Sequence, residues 1–235
     1  MPETPVTETA ITEEKPKKPL KPYTLGEEIF NSVTHGVGAL LSIAGTVLVI
    51  VFAAINRGPM EVVTGTLFGA SLIILYTMST LYHALTNPTA KKVFQILDHN
   101  TIFLLIAGTY TPYTLCCIKP VWLGWTIFGC IWGAAVLGIV FSSISLEKFR
   151  KLSTFCYILM GWGIIFAIKP LKEGMPKFSL IMLILGGVLY SLGCIFYVKK
   201  SIKYFHSIWH IFVVGGSLLH WFSVFWAIGM PVGMT

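Results

Sequence analysis

Charge is so sparse along this chain that the charged residues cut it into long uncharged intervals: 29–56, 62–90, 99–118, 120–146, 152–168, 178–198 and 204–235. A helix needs about 20 mostly apolar residues, with a working range of roughly 17 to 25, to cross the hydrocarbon layer of a bilayer. Each interval is long enough for one crossing and none is comfortably long enough for two, so the pattern predicts seven transmembrane helices. The apolar character is too continuous for alternating barrel strands, and a helix satisfies its own backbone polar groups in lipid. Composition agrees, with 55% of the 235 residues hydrophobic and 11% charged, against roughly 25% charged in an ordinary soluble domain. The expected fold is all-α: an integral membrane protein in which residues 23–235 form a seven-helix transmembrane bundle. Residues 1–22 are rich in Pro, Thr, Glu and Lys and have no apolar run, which predicts a disordered cytoplasmic tail and not a signal peptide.

The formal charge of +7 would point to nucleic acid only if the cations gathered on a soluble face. Instead Lys15, Lys17, Lys18, Lys21, Lys91, Lys92, Lys148, Arg150, Lys151, Lys199, Lys200 and Lys203 fall on one side of the predicted bundle, and only Arg57, Lys119, Lys169, Lys172 and Lys177 on the other. The positive-inside rule then places the N-terminus in the cytoplasm and the C-terminus outside. No nucleic-acid partner is expected. The five cysteines, Cys116, Cys117, Cys130, Cys156 and Cys194, have no metal-ligand spacing and read as small packing residues. Gly65 with Gly69 and Gly129 with Gly133 suit close helix packing in lipid, and Pro112 is expected to kink or end the third helix.

Ionisable and strongly polar residues inside apolar segments carry the functional information, because burying them costs several kcal/mol unless they find partners. Here they are His35, His83, His99, His206, His210, His220 and Asp98, the chain's single aspartate. The predicted topology puts His83 at the end of the second helix, Asp98 and His99 at the start of the third and His206 and His210 at the start of the seventh, all at the cytoplasmic end. His206 and His210 are four apart, one turn along one helix face, the spacing by which a helix offers two ligands to one metal. Zinc takes imidazole nitrogen, and a catalytic site keeps three protein ligands with a fourth position open. His83 is the natural third ligand, with Ser79 one turn before it on the same face. Asp98 could hold or deprotonate a water activated there.

Asn31 and His35 are also four apart, with Glu27 and Glu28 one turn earlier, and read either as a polar network tying the first helix to the bundle or as support for the site. His99 could support Asp98 or serve interfacial packing. His220 lies ten residues beyond His210, about 15 Å deeper at the helical rise, so it cannot share their metal and reads as a hydrogen-bonded interior residue.

The set Glu28-x2-Asn31-x3-His35, Ser79-x3-His83, Asp98 and His206-x3-His210 resembles the hemolysin III proteins of the progestin and adipoQ receptor superfamily. The resemblance runs from Tyr23 to near the end of the chain. STLYHAL, LDHNTIFLLIAGTYTPY and YSLGCIFYVKK are similar to bacterial members. It implies a bacterial cytoplasmic membrane as the location and a zinc site with His83, His206 and His210 as ligands, Asp98 acting through water and Ser79 lining the site. The wider superfamily is similar to alkaline ceramidases, which suggests hydrolysis of a lipid amide, whereas bacterial relatives are also linked to membrane fluidity and energetics.

Two readings of function compete. The first is a zinc-dependent intramembrane hydrolase of a lipid amide or ester, with membrane lipids as partners, Asp98 as base and Ser79 at the oxyanion. The second is a non-enzymatic regulator or receptor-like sensor in which zinc braces helices. A hemolysin-type cytolysin ranks lowest, because seven built-in crossings hold the chain in its own membrane. A retinal protein is excluded, since interval 204–235 has no lysine for a Schiff base.

Overall fold

The computed structural model describes residues 23–199 and 202–231, so the expected tail at 1–22 and Lys200 lie outside the described residues. The described chain forms seven helical rods and no β-strand. They are α1 (Leu25–Asn56), α2 (Pro59–Ala84), α3 (Pro88–Pro112, continued by a π turn at Tyr113–Cys117), α4 (Val121–Ile144), α5 (Leu146–Gly174), α6 (Lys177–Val198) and α7 (Phe205–Gly229). α5 contains a 3-10 turn at Gly163–Ala167, and α7 ends in a π turn at Phe225–Gly229.

Most rods begin at a residue that the sequence marks as a start. Thr24 and Glu27 form a reciprocal capping box on α1. Pro59 opens α2, Asn87 caps α3 ahead of Pro88, and the Ser145 hydroxyl accepts the Lys148 N–H at the start of α5. The rods therefore begin at caps and not at the charge boundaries. α3 starts at Pro88 and α5 at Leu146, each well before the interval that predicted it, because a charge in a first turn is no obstacle to a helix. As a consequence Asp98 and His99 lie within α3 and not at its start. The regular α-helix of the third rod ends at Pro112 as expected, and the rod continues beyond it as the π turn.

Consecutive rods pack antiparallel, α1 on α2, α2 on α3 and α6 on α7, and α7 returns to α1 to close the bundle. α1, α2, α4, α5, α6 and α7 are each long and apolar enough to cross a membrane. α3 is the less apolar exception and is lined with buried residues from His99 to Pro112, so its neighbours, not lipid, receive its polar groups. Half of the apolar stretch of α2 is buried against 11% of that of α4, which makes α4 a lipid-facing rod.

Glycines separate in the same way. A Cβ on Gly69 would collide with the Thr46 side chain of α1, and one on Gly65 would reach Val49 Cγ1 at 2.7 Å. Gly129 and Gly133 of α4 face open space, so the close packing expected of that pair is absent; their side is turned to lipid. Gly69→Ala is expected to lower stability by about 1–3 kcal/mol through overpacking, and Gly133→Ala to leave it unchanged or slightly raised. Thermal unfolding of the two variants in detergent checks this.

Glu27 ties the two ends of the chain together. One carboxylate oxygen accepts the Thr24 N–H and hydroxyl, both at 2.8 Å, and the other accepts the Tyr204 N–H at 2.7 Å. Tyr204 sits at φ 63, the left-handed region, immediately before α7. Glu27 thus fixes the first turn of α7, which carries His206, against the first turn of α1.

Candidate metal centre

Three rods converge at this end of the bundle. α1 presents Glu28, Asn31 and His35, which share a face by their spacings of three and four. α2 presents Ser79 and His83, and α7 presents His206 and His210. Asn31, His35, Ser79, His83, His206 and His210 are all buried.

One ring nitrogen from each of His83, His206 and His210 lies within 4.8 Å of the others. The Nε2 atoms of His206 and His210 are 3.2 Å apart. Two imidazole nitrogens on one tetrahedral zinc, at bond lengths of about 2.0–2.1 Å, stand about 3.3 Å apart. His83 is oriented from behind: its Nδ1 lies 2.6 Å from Glu28 Oε2. An ionised carboxylate only accepts, so Nδ1–H donates and the lone pair is left on Nε2. That Nε2 is buried with no hydrogen-bond partner among the described residues. A histidine held by a carboxylate with its other nitrogen bare is the usual arrangement of a metal ligand and its supporting group. The three residues therefore fit a metal ion such as zinc in their chemistry, in the His206–His210 spacing and in the tautomer of His83.

The surroundings tighten this arrangement. Lys91 Nζ of α3 bonds the second oxygen of Glu28 at 2.9 Å and the Tyr82 carbonyl at 3.0 Å. The Asn31 amide lies 3.5 Å from His83 Nδ1. His35 stacks on His210 with centroids 3.6 Å apart and meets Tyr76 edge-on. Tyr23, just ahead of α1, stacks on His206 at 4.9 Å and leans over His83 at 5.7 Å. Burial pushes its phenol above the ordinary range, with the Tyr82 and Tyr197 phenols and the Asp98 and Glu28 charges adding to the effect, so it stays a neutral donor.

Not every predicted residue joins the cluster. The Ser79 hydroxyl is buried without a hydrogen-bond partner among the described residues, one turn from His83 on the same face. Asp98 lies outside the three-nitrogen group. Its carboxylate is 3.5 Å from His99 Nδ1, which itself donates to the Gln95 carbonyl at 2.8 Å, and its charge bears on the phenols of Tyr23, Tyr82 and Tyr197. Sequence reasoning did not find Lys91 or Tyr23 at the site. Lys91 read as one more loop cation, and Tyr23 precedes any helical periodicity. The place of Glu28 was visible, three before Asn31 and seven before His35 on one face.

A cavity of about 330 Å³ lies among α2, α3, α5, α6 and α7, one side chain removed from the cluster, whose histidines are not in its lining. Its walls are mostly apolar, from Leu75 and Leu105 to Ile164 and Leu183, and Tyr197 and Trp209 mark its near end. The Tyr197 ring is 6.3 Å from that of His206.

A bundle of membrane-crossing rods with three histidines turned inward at one end defines a polytopic membrane protein with a candidate metal centre. The family model described as Haemolysin-III related matches residues 23–221, and the chain belongs to that family. It is 46% identical to Hemolysin-3 of Bacillus cereus over 198 residues, covering 84% of this chain and 90% of that one. It is 45% identical to the Hemolysin-3 homolog of Bacillus subtilis (strain 168), covering 89% and 98%. A more distant relative is the Monocyte to macrophage differentiation factor of Homo sapiens, 26% identical over 86% of this chain and 84% of that one. The resemblance read from the motifs holds, and the chain is integral to the cell membrane.

Proposed function

We propose that this protein is a zinc-dependent intramembrane hydrolase that cleaves an amide or ester bond of a membrane lipid. The observation that carries the reading is the convergence of three histidine nitrogens beside an apolar cavity within the bundle. His83, His206 and His210 would hold the ion, which when bound supplies Lewis acidity and lowers the pKa of water to near neutrality. The chain's own residues do the rest. Glu28 holds the His83 ring in register, and the cavity takes an acyl chain out of the surrounding lipid so that its carbonyl end stops at Tyr197 and Trp209. Ser79 offers a buried hydroxyl to the carbonyl oxygen, and Tyr23 covers the cluster as a neutral donor. Asp98, whose charge bears on the Tyr23 phenol over the cluster, takes up the proton released from water. The excess of basic residues at this end supports a cytoplasmic position for it and for the N-terminus.

A second reading is supported by the same ligands coming from α2 and α7 with their brace on α1: the metal would then fasten three rods in a non-enzymatic regulator. Ser79 separates the two. In Ser79→Ala, metal content and unfolding temperature are expected to match wild type, while hydrolysis of a lipid amide in mixed micelles falls about fivefold, the worth of one hydrogen bond of about 1 kcal/mol. Metal-loaded wild type that turns over no amide or ester across a broad lipid panel would leave the brace as the reading.

A further inference from the structure

Among the residues lining the apolar cavity there is one histidine, and the proposed chemistry does not use it. His220 lines it, at the wall formed with Tyr190, and is buried. It stands ten residues beyond His210 on α7, about 15 Å further from the metal centre. Its Nδ1 has no hydrogen-bond partner among the described residues.

Most of the other hydroxyls around the cavity are engaged, the exception being that of Tyr113, which is buried without a hydrogen-bond partner among the described residues. Tyr110 donates to the Met160 carbonyl at 2.6 Å, Thr109 to that of Leu105 and Ser191 to that of Gly187. The Tyr190 hydroxyl pairs with Ser217 Oγ at 2.7 Å, and Ser217 also accepts from Tyr76 at 2.7 Å. His220 stacks on Tyr190 with centroids 5.2 Å apart and faces Gly186, where a Cβ would lie 2.9 Å from the ring. The ring is therefore held in a fitted slot with one nitrogen unspent. A neutral imidazole carries one donor and one acceptor nitrogen and pairs with a hydroxyl in either tautomer.

We infer that the cavity selects acyl chains bearing a hydroxyl partway along their length, and that His220 reads it. The inference rests on the lipid-binding role proposed for the cavity and makes His220 a specificity residue, remote from the reacting bond.

The test is equilibrium binding to purified protein in micelles, by displacement of a fluorescent fatty acid. The competitors are plain octadecanoic acid and octadecanoic acids carrying one hydroxyl at successive carbons. Wild type is expected to prefer one mid-chain hydroxyl position by about five- to tenfold over the plain acid. In His220→Leu that preference should vanish, with plain octadecanoic acid bound as in wild type. A flat profile across hydroxyl positions in wild type overturns the inference while leaving the cavity a lipid site. If plain octadecanoic acid does not bind either, the lipid-binding role falls and the inference with it. The wild-type series decides the matter by itself should His220→Leu fail to fold.

Discussion

Elemental analysis of the detergent-purified protein is expected to find close to one zinc per chain, and none in the His206→Ala/His210→Ala double variant. Two of the three nitrogens that lie within 4.8 Å of one another come from these side chains. His83 alone, even held by Glu28, is a single imidazole and binds no zinc at micromolar supply. The effect reaches stability as well. A ligand that binds the folded chain alone stabilises it by about 4 kcal/mol at a thousandfold excess over its dissociation constant. A chelator should therefore lower the unfolding temperature of wild type by several degrees and leave the double variant unmoved. Any lipid hydrolysis should disappear in the variant together with the metal. Wild type containing no zinc or other imidazole-binding metal after purification without chelators would remove the hydrolase and brace readings together. The three histidines would then be a polar network joining α2 to α7.

How far the sequence reached depended on which physical rule each element obeyed. The number of rods was legible because charge is excluded from the hydrocarbon layer, and that rule acts on every crossing. Helix starts were not legible from charge, since α3 and α5 begin at Asn87 and Ser145 caps and carry Lys91, Lys92, Lys148 and Arg150 in their first two turns. The pairing of His206 with His210 and their meeting with His83 followed from helical spacing plus the sidedness of the cations. Asp98 obeyed neither, because its depth depends on where α3 begins, and a start at Pro88 moves it beside His99 and the tyrosines. Gly65 and Gly129 look alike in sequence, each followed by a second glycine four residues on, yet only the first pair meets a neighbouring rod. Which face of a rod meets lipid is set by tertiary packing, and an apolar rod such as α4 has no polar stripe to reveal it.

Glu28 is where removal of a group that never touches the metal should cost most. Its Oε2 accepts a hydrogen bond from His83 Nδ1–H at 2.6 Å, and its Oε1 accepts one from Lys91 Nζ at 2.9 Å. Glu28→Ala frees the His83 ring to rotate and to exchange tautomers, and strands the Lys91 ammonium beside it, adding a positive charge near the ion. Zinc affinity, measured by competition with a chromophoric chelator, is expected to fall about 10- to 100-fold. Glu28→Gln should fall between wild type and alanine, because its amide oxygen can still accept from Nδ1–H but no longer raises the basicity of Nε2 as a carboxylate does. Lys91→Met removes only the outer partner and should weaken zinc by no more than a few-fold. That ranking, alanine below glutamine below methionine at 91, belongs to a carboxylate acting through His83. A simple tie between α1 and α2 would lower the unfolding temperature in all three variants and leave the zinc affinity of the folded fraction within about twofold of wild type.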